Sequence, residues 1–258
     1  MDRATLVMPD WPDAPANVGA LATTRAGGVS QGPYDDGHGG GGLNLGLHVN
    51  DDPQAVAENR ARLQSLLPGR PAWIAQVHGK GVVDAATVSA GQPVRTGDAS
   101  IAVQAGVVCA ILTADCLPVL FADRGGKVVG AAHAGWRGLA GGVLGATLDA
   151  MRAAGAGEIT AWMGPAIGPQ AFEVGQDVFE RFADALPGVD IGFALRRHPD
   201  AANKYLADMF ALARLMLERD GVRSIAGGIH CTATERDRFY SYRRDGVTGR
   251  QASLIWLK

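Results

Sequence analysis

Residues 128–138, VVGAAHAGWRG, decide how the fold is interpreted from this sequence. The apolar run 128–132 has the length of a β-strand, and His133 follows it at the start of a glycine-rich turn. The same arrangement, an apolar run and then a histidine or cysteine, occurs at residues 72–77 with His78 and at residues 100–112 with Cys116. Because the ends of neighbouring strands can meet at one edge of a sheet, we expect these three side chains to converge.

The three side chains have the chemistry of a metal site. Imidazole and thiolate groups favour zinc or copper over magnesium or calcium. Three protein ligands that leave one position open are typical of catalytic zinc, so His78, Cys116 and His133 predict one zinc ion, with copper as the alternative. Their separations of 38 and 17 residues match no zinc-finger pattern, so the sequence also allows a buried cysteine and two histidines bound to backbone groups.

Four polar residues are further candidates for catalysis. Asp115 precedes Cys116 in an apolar stretch, where it would orient a ligand histidine, act as a general acid or base, or cap a turn. Arg137 and Arg25 both lie in glycine-rich turns, where each would bind an anion such as phosphate or make an ordinary surface or turn contact. Asn44 lies between two leucines, either as a site residue or as a structural one.

The remaining pattern mixes helices with strands. A helix over residues 53–67 is predicted because Asp52 is a good cap and Pro53 fits the first helical position. Further helices are predicted at 141–154, 176–186 and 201–220, and strands at 72–77, 100–112, 118–122, 128–132, 160–163, 224–229 and 253–257. Many of these runs are continuously apolar, which indicates strands covered on both faces. We therefore predict one α+β (mixed α/β) domain over residues 1–258, with helices flanking packed sheets.

Composition excludes several classes of function. The 258 residues carry a net charge of −2, and no basic stripe of the kind used to bind nucleic acid is evident. No apolar run is long enough for a signal peptide or a membrane helix, so we expect no membrane partner. Three cysteines are too few, and odd in number, for a disulfide framework, which predicts a cytoplasmic protein with reduced thiols.

Several segments, in order along nearly the whole chain, resemble the YfiH family, also called the laccase-domain or multicopper polyphenol oxidase family. Two of them, TADCLPV and AHAGWRG, are specific when they occur together. The resembling segments are TRAGGVS (24–30), NLG (44–46), NDDP (50–53), NR (59–60), QVHG (76–79), TADCLPV (113–119), AHAGWRG (132–138), GPAIG (164–168), FEVG (172–175), CT (231–232), FYSYRR (239–244) and TGRQAS (248–253).

The resemblance implies a fold and a ligand set. Members of the family are similar to the catalytic domain of cytotoxic necrotizing factor, a layered α/β/β/α sandwich. They bind zinc through the histidine of QVHG, the cysteine of TADC and the first histidine of AHAGWRG. Those positions are His78, Cys116 and His133 in this sequence.

Two departures from the family pattern affect the interpretation. Many relatives have a cysteine shortly before the EVG segment, where this chain has Gln170-Ala171-Phe172, which leaves fewer soft ligands for copper. The glycine insert at residues 37–42 interrupts the passage from GPY to NLG, where it would alter a lid or a substrate loop.

The resemblance also implies the reaction. Family members are described as purine nucleoside phosphorylases that also deaminate adenosine and cleave methylthioadenosine, so we expect a purine nucleoside and phosphate as small-molecule partners. Arg25 or Arg137 would hold the phosphate, and Asp115 would help the purine leave. The alternatives are an amidase that edits peptidoglycan precursors, a copper-dependent polyphenol oxidase, and a zinc-stabilised binding module with His230 or Cys231 as a fourth ligand. The oxidase is disfavoured because six histidines are too few for a multicopper array.

Overall fold

A computed structural model describes residues 5–258, and within them fifteen strands and six helices occur. The strands are β1 (Leu6–Val7), β2 (Val18–Thr23), β3 (Ala26–Ser30), β4 (Pro71–Ala72), β5 (Val82–Asp84), β6 (Ala99–Ala102), β7 (Val108–Thr113), β8 (Leu117–Asp123), β9 (Val129–Ala134), β10 (Ile159–Met163), β11 (Glu173–Gly175), β12 (Leu195–Arg197), β13 (Lys204–Ala207), β14 (Ser224–Gly227) and β15 (Gln251–Leu257). The helices are α1 (Pro53–Gln64), α2 (Trp136–Ala140), α3 (Val143–Ala153), α4 (Gln176–Ala185), α5 (Met209–Arg219) and α6 (Tyr242–Asp245).

Most of the strands form two mixed sheets. Sheet 1 has the order β1-β2-β15-β7-β4, and sheet 2 has the order β14-β10-β8-β9-β6-β5. The neighbours in both sheets are antiparallel except for the pairs β4–β7, β10–β14 and β5–β6. The strands β11, β13 and β12 form a separate small antiparallel sheet in the order β11-β13-β12. Sheets 1 and 2 together carry the candidate ligands.

The two large sheets pack face to face and are covered on their outer faces. The layer between them is filled from sheet 1 by Ile111 and Ile255 and from sheet 2 by Leu120 and Val129. Each such fully buried side chain contributes about 1.5–3 kcal/mol to stability. The opposite face of sheet 2 packs on helices α2 to α5 through buried residues that include Leu139, Leu144, Leu148, Phe182, Leu212 and Met216.

The outer face of sheet 1 is covered by a thinner layer. Leu63 of α1 packs there with Leu43 and Leu45 of the preceding loop, and all three side chains are buried. The order of layers is therefore helix and loop, sheet 1, sheet 2, helices. This confirms the predicted mixed α/β fold with helices flanking packed sheets, while the likeness to the cytotoxic necrotizing factor domain stays a prediction.

The helix predicted over residues 201–220 is wrong in its first half. Residues Lys204–Ala207 form β13, the central strand of the small sheet, and α5 begins only at Met209. Asp208 caps that helix, because its side chain accepts the N–H of Ala211. Pairing with strands on both sides outweighs the helical propensity of this alanine- and leucine-rich run.

Three other elements differ from their predicted extent because the backbone turns inside the apolar run. The strand predicted at 100–112 is two strands, β6 and β7, separated by a turn at Gly106, whose φ is +79°. The helix predicted at 141–154 starts at Val143 after Gly142, whose φ is +90°, and a separate short helix α2 precedes it. The strand predicted at 72–77 ends at Ala72.

The other predicted elements lie at their expected places with shifted ends, and α1 begins at Pro53 with Asp52 as its cap. No helix within residues 5–258 has the length and apolar character needed to cross a membrane.

Candidate metal centre

His78, Cys116 and His133 meet at the edge where the two large sheets come together. One ligand atom from each of them can be chosen so that all three lie within 4.8 Å of one another. The distance from Cys116 Sγ to His78 Nε2 is 3.8 Å, and the two imidazole rings are 4.7 Å apart at an angle of 70°. The structure therefore brings together the three side chains that the sequence singled out, in a group that could hold a metal ion.

The connection between the sheets places Cys116. The chain leaves sheet 1 at the end of β7 and enters sheet 2 at the start of β8, and Ala114, Asp115 and Cys116 form the turn between them. His133 is the next-to-last residue of β9, opposite Pro118 in the antiparallel pair β8–β9. This register puts the histidine beside the turn that carries the cysteine.

An irregular segment that crosses from sheet 1 toward sheet 2 places His78. The side-chain amide of Gln76 donates to the carbonyl of Leu112 and accepts from its N–H, both at 2.8 Å, which replaces a backbone partner at this edge of β7. His78 itself has a φ of +59°, a conformation that residues other than glycine rarely adopt. The strand predicted at 72–77 ends early because, beyond Ala72, the side chain of Gln76 pairs with β7 in place of the backbone.

Asp98 holds two of the three candidate ligands, and sequence analysis missed it. Its Oδ1 lies 2.8 Å from Nδ1 of His133 and accepts the backbone N–H of His78 at 2.8 Å. Its Oδ2 accepts the N–H groups of Gly79 at 2.7 Å and Val77 at 3.2 Å. The side chain is fully buried, directly before β6, which pairs with β9. A carboxylate behind a ligand histidine orients its ring and leaves Nε2 free for the metal.

The electrostatics of the site favour a thiolate. Burial raises the pKa of Cys116, but hydrogen bonds from His133 and His78 outweigh it and bring that pKa down to about 6. Burial lowers the pKa of His133, but its hydrogen bonds to Asp98 and Cys116 outweigh this effect and raise it to about 9. The pKa of Asp98 is raised by burial and lowered more by His133 and the surrounding N–H groups. Thiolate is the form of cysteine that binds metals.

Two nitrogens and one sulfur are the donor set that zinc and copper sites use. Ligand atoms about 2.0–2.3 Å from one ion lie about 3–4 Å apart, so side-chain shifts of about an ångström would close this group on a metal. Gly135 leaves the room for it. A Cβ at that position would lie 2.9 Å from Cys116 Sγ and 3.0 Å from His78 Cδ2. Within residues 5–258 the group contains these three ligands alone.

The cluster opens into a cavity of about 630 Å³. Its walls combine apolar, aromatic and cationic side chains, and none of the described residues that line it is an aspartate or glutamate. Besides the three ligands, its lining includes Leu47, His48, Arg60, Trp73, Ile74, Gln76, Val94, Leu112, Thr113, Tyr242 and Arg250. A cavity of this size fits a small molecule.

Asp115 lies in the site turn but does not orient a ligand histidine, since Asp98 does. Its Oδ1 accepts the hydroxyl of Thr232 at 2.6 Å, and its Oδ2 accepts the N–H of Arg243 at 2.6 Å. Its backbone has a φ of +86°. Asp115 therefore ties the C-terminal segment to the turn that carries Cys116, and its role as a general acid stays a prediction.

Arg137 lies in a second cavity, of about 620 Å³, on the other side of His78. Lys80 and Arg181 also line this cavity, with Asp177 as its one carboxylate among the described residues. The guanidinium of Arg137 stacks 4.2 Å over the ring of Trp136 and has neither a hydrogen bond nor an ion pair within residues 5–258. It is free to bind an anion beside the metal site.

Arg25 and Asn44 are bound within the protein. The Arg25 guanidinium donates to the backbone oxygens of Asp35 and Arg236 and to the carboxylate of Asp35, at 3.0–3.2 Å. Asn44 accepts the N–H groups of Gly46 and Arg250, both at 2.9 Å, and donates to Asp51 at 2.8 Å. Neither residue lines the two cavities at the candidate centre. The contacts of Arg25 are those expected of an ordinary turn residue, and the contacts of Asn44 are those expected of a structural residue.

The remaining cysteines do not join the cluster. Cys109 is fully buried in the layer between the sheets, and burial raises its pKa to about 12. Cys231 Sγ accepts the N–H of Gly168 at 3.2 Å. The His230 imidazole pairs with Glu235 at 3.0 Å. The fourth protein ligand required by the binding-module alternative is therefore missing from the cluster within residues 5–258.

Comparison with known proteins gives matches over nearly the whole chain. Residues 19–258 match the family described as multi-copper polyphenol oxidoreductase laccase. The chain is 51% identical over 252 residues to a purine nucleoside phosphorylase of Pseudomonas aeruginosa, with 97% of each chain covered. It is 49% identical over 256 residues to the purine nucleoside phosphorylase YfiH of Escherichia coli, with 98% of each chain covered.

Solved structures agree with this assignment. A Neisseria meningitidis protein has a TM-score of 0.88 and 50% identity, covering 98% of this chain and 99% of its own. YlmD from Geobacillus stearothermophilus has a TM-score of 0.87 and 32% identity, covering 100% of this chain and 98% of its own. Fold and site thus define a mixed α/β protein with a three-ligand group that could hold a metal. The chain belongs to the laccase-domain family, the YfiH family that its motifs indicate.

The first prediction concerns Asp98. The variant Asp98→Asn keeps the size of the side chain but replaces an acceptor oxygen with an NH₂ group that faces N–H donors. We expect its affinity for zinc to fall about 10–100-fold, as measured by competition with a chromophoric chelator. Asp123→Asn is the matched control, because Asp123 is also buried and accepts the N–H groups of Lys127 and Gly157 at the far end of β8. Equal zinc affinity in both variants would contradict the role given to Asp98.

The second prediction concerns Gly135. Its φ of −57° suits any residue, so Gly135→Ala tests only the close contact with Cys116 and His78. We expect less zinc per protein chain, measured by elemental analysis, with a preserved circular dichroism spectrum. The control is Gly157→Ala, where the nearest atom to a new Cβ is Asp123 Oδ1 at 3.6 Å. A full complement of zinc in Gly135→Ala would show that the site tolerates the methyl group.

Proposed function

We propose that the protein is a zinc-dependent enzyme that cleaves purine nucleosides with phosphate and also deaminates adenosine. The observation that carries this proposal is the His78–Cys116–His133 group at the wall of a cavity that is large enough for a nucleoside. The names of the relatives from P. aeruginosa and E. coli support the nucleoside and phosphate as substrates. Adenosine, inosine and methylthioadenosine are the nucleosides that we propose.

The walls of the cavity fit a purine nucleoside. Tyr242 offers an exposed aromatic ring, and Leu47 and Val94 offer exposed apolar side chains at the same cavity, while the Trp73 ring lies 4.5 Å from the guanidinium of Arg60. A purine base stacks on such surfaces, and stacking on an aromatic side chain contributes about 1–3 kcal/mol per base.

In the proposed phosphorolysis, a phosphate oxygen forms a bond to C1′ of the sugar while the bond from C1′ to the purine nitrogen breaks. The purine leaves with the electron pair and takes up a proton from solvent or from the phosphate. Arg137 would bind the phosphate from the second cavity, because a guanidinium fork matches two phosphate oxygens. Asp115 would position the turn that carries Cys116, since Thr232 and Arg243 contact its two oxygens, and its role as the acid for the leaving purine stays a prediction.

His78, Cys116 and His133 would hold the zinc ion, and Asp98 would keep His133 in the orientation that the metal requires. When bound, zinc supplies a Lewis acid and lowers the pKa of water, which deamination at C6 of the purine needs. A cytoplasmic location fits this proposal because the thiolate of Cys116 must stay reduced, and all three cysteines are free.

Zinc analysis combined with product analysis tests the proposal. We expect the purified protein to contain one zinc ion and to form hypoxanthine from inosine only when phosphate is present. Chelation of the metal, or Cys116→Ser, should abolish both phosphorolysis and deamination. Cys109→Ser is the control, because Cys109 is a buried thiol outside the cluster. Release of the base without phosphate, or zinc-independent activity, would reject the proposal, and phosphate-independent amide hydrolysis would favour the amidase instead.

A separate prediction concerns Arg137. Arg137→Lys keeps the positive charge but loses the fork, so we expect the KM for phosphate in inosine cleavage to rise about tenfold. Adenosine deamination needs no phosphate and should change much less. The measurement is the initial rate of both reactions over a range of phosphate concentrations, with the exposed Arg124→Lys as control. An unchanged phosphate dependence would remove Arg137 from the reaction.

A further inference from the structure

Arg60 and Arg250 line the metal cavity, and the mechanism above uses neither of them. Both Nε and Nη2 of Arg60 donate to the carbonyl of Leu45, at 3.0 and 2.8 Å, while Nη1 has no partner within residues 5–258. Nη1 of Arg250 donates to the carbonyls of Thr248 and Gly249, both at 3.0 Å, while its Nε and Nη2 are likewise unpartnered among the described residues. Each guanidinium is thus anchored on one side and has N–H groups left to donate.

Neither arginine is paired with a carboxylate within the described part of the chain. Arg60 and Arg250 form no ion pair there, and the cavity they line contains no carboxylate. Burial and the neighbouring Arg70 lower the pKa of Arg60 to about 10, and burial lowers the pKa of Arg250 as well. The pKa of His48 is lowered by burial, and the positive charges of Arg250 and Arg60 lower it further. Cys116 and Asp115 partly offset the effect of burial on the pKa of Arg250. Half-buried cations without an ion-pair partner are costly, and a bound anion would compensate for them.

One short segment, Asn44-Leu45-Gly46, holds both arginines in place. The carbonyl of Leu45 anchors the Arg60 guanidinium, and the N–H of Leu45 donates to the carbonyl of Arg250 at 3.1 Å. Asn44 Oδ1 accepts the N–H of Arg250 at 2.9 Å. A Cβ at Gly46 would lie 2.8 Å from Cγ of Arg250, so a glycine is needed where the arginine passes. Asn44 is therefore a positioning residue for Arg250.

We propose that Arg60 and Arg250 form an oxyanion subsite inside the metal cavity, which binds a phosphate group that is either free or carried on the pentose of the substrate or product. The identity of this ligand rests on the proposed nucleoside function, while the presence of the subsite rests on the contacts above. Two guanidinium groups can donate to several oxygens of one tetrahedral anion, which a neutral nucleoside cannot offer. The cavity would thus bind the base on its apolar and aromatic walls and a phosphate group at the arginines.

Isothermal titration calorimetry of the zinc-loaded protein tests this inference directly. The probes are inorganic phosphate, ribose 5-phosphate and adenosine 5′-monophosphate, with ribose and adenosine as their uncharged counterparts. The variants are Arg60→Lys and Arg250→Lys, which keep the charge and lose the fork. Arg62→Lys on the same helix is the matched control, since Arg62 pairs with Glu58 at 2.8 Å. Arg137→Lys reports on the second cavity.

We expect at least one of the three phosphate probes to bind, and both Arg60→Lys and Arg250→Lys to weaken that binding by about tenfold or more. The Arg62→Lys variant should bind like the wild type, and the uncharged counterparts should be insensitive to the arginine substitutions. If inorganic phosphate alone shows the effect, the ligand is free phosphate; if ribose 5-phosphate or the nucleotide shows it more strongly, the phosphate is carried on the pentose.

Two results would overturn the inference: no measurable binding of any phosphate probe, or binding that only Arg137→Lys weakens. Folding of the variants is checked by thermal unfolding, and if Arg60→Lys unfolds, the Arg250→Lys result decides alone. Failure of the proposed function gives a different result. In that case the arginine variants still lose phosphate binding, but the wild-type protein releases no base from any purine nucleoside.

Discussion

The buried carboxylate of Asp98 is the contact on which the rest of the site depends. It joins the imidazole of His133, on the central strand β9, to the backbone of the segment that carries His78. One charged group thereby sets the position of two candidate ligands that come from different layers of the protein. Burial of this carboxylate would be costly without its partners, so the N–H groups of residues 77–79 and the ring of His133 stabilise the charge and are ordered by it.

The packing of the two sheets makes this contact possible. Sheet 1 delivers Cys116 through the turn after β7, and sheet 2 delivers His133 and Asp98 from adjacent strands. The layer of Ile111, Ile255, Leu120 and Val129 keeps the sheets together, and the ligand atoms lie where this layer ends. Rigid sheets on both sides hold the ligands in a fixed geometry, which a metal site requires. The open side of the site faces the cavity and its arginines.

The sequence singled out the three side chains that converge because each of them follows an apolar run, and that pattern is local. It did not reveal Asp98, because the residue lies between Gly97 and Ala99, where an aspartate is also an ordinary turn residue. The glycine-rich turn around Arg25 indicated an anion site, but the Arg25 guanidinium donates hydrogen bonds to Asp35 and Arg236. Arg60 and Arg250 had no local signal of an anion site, since Arg60 lies on a helix and Arg250 directly before a strand, and arginines are mostly exposed at the surface.

The sequence alone predicted the apolar runs, the helix starts such as Asp52-Pro53, the mixed α/β class and the three side chains that converge in a group that could hold a metal. These features depend on periodicity, capping and residue chemistry, which act over a few neighbouring residues. The tertiary structure alone decided that Asp98 orients His133, that Arg137 lies in a second cavity, and that Arg60 and Arg250 share the metal cavity. The residues in these relations are far apart in the sequence, and Arg60 and Arg250 are separated by 190 positions. Only the packing of the two sheets brings such distant residues together.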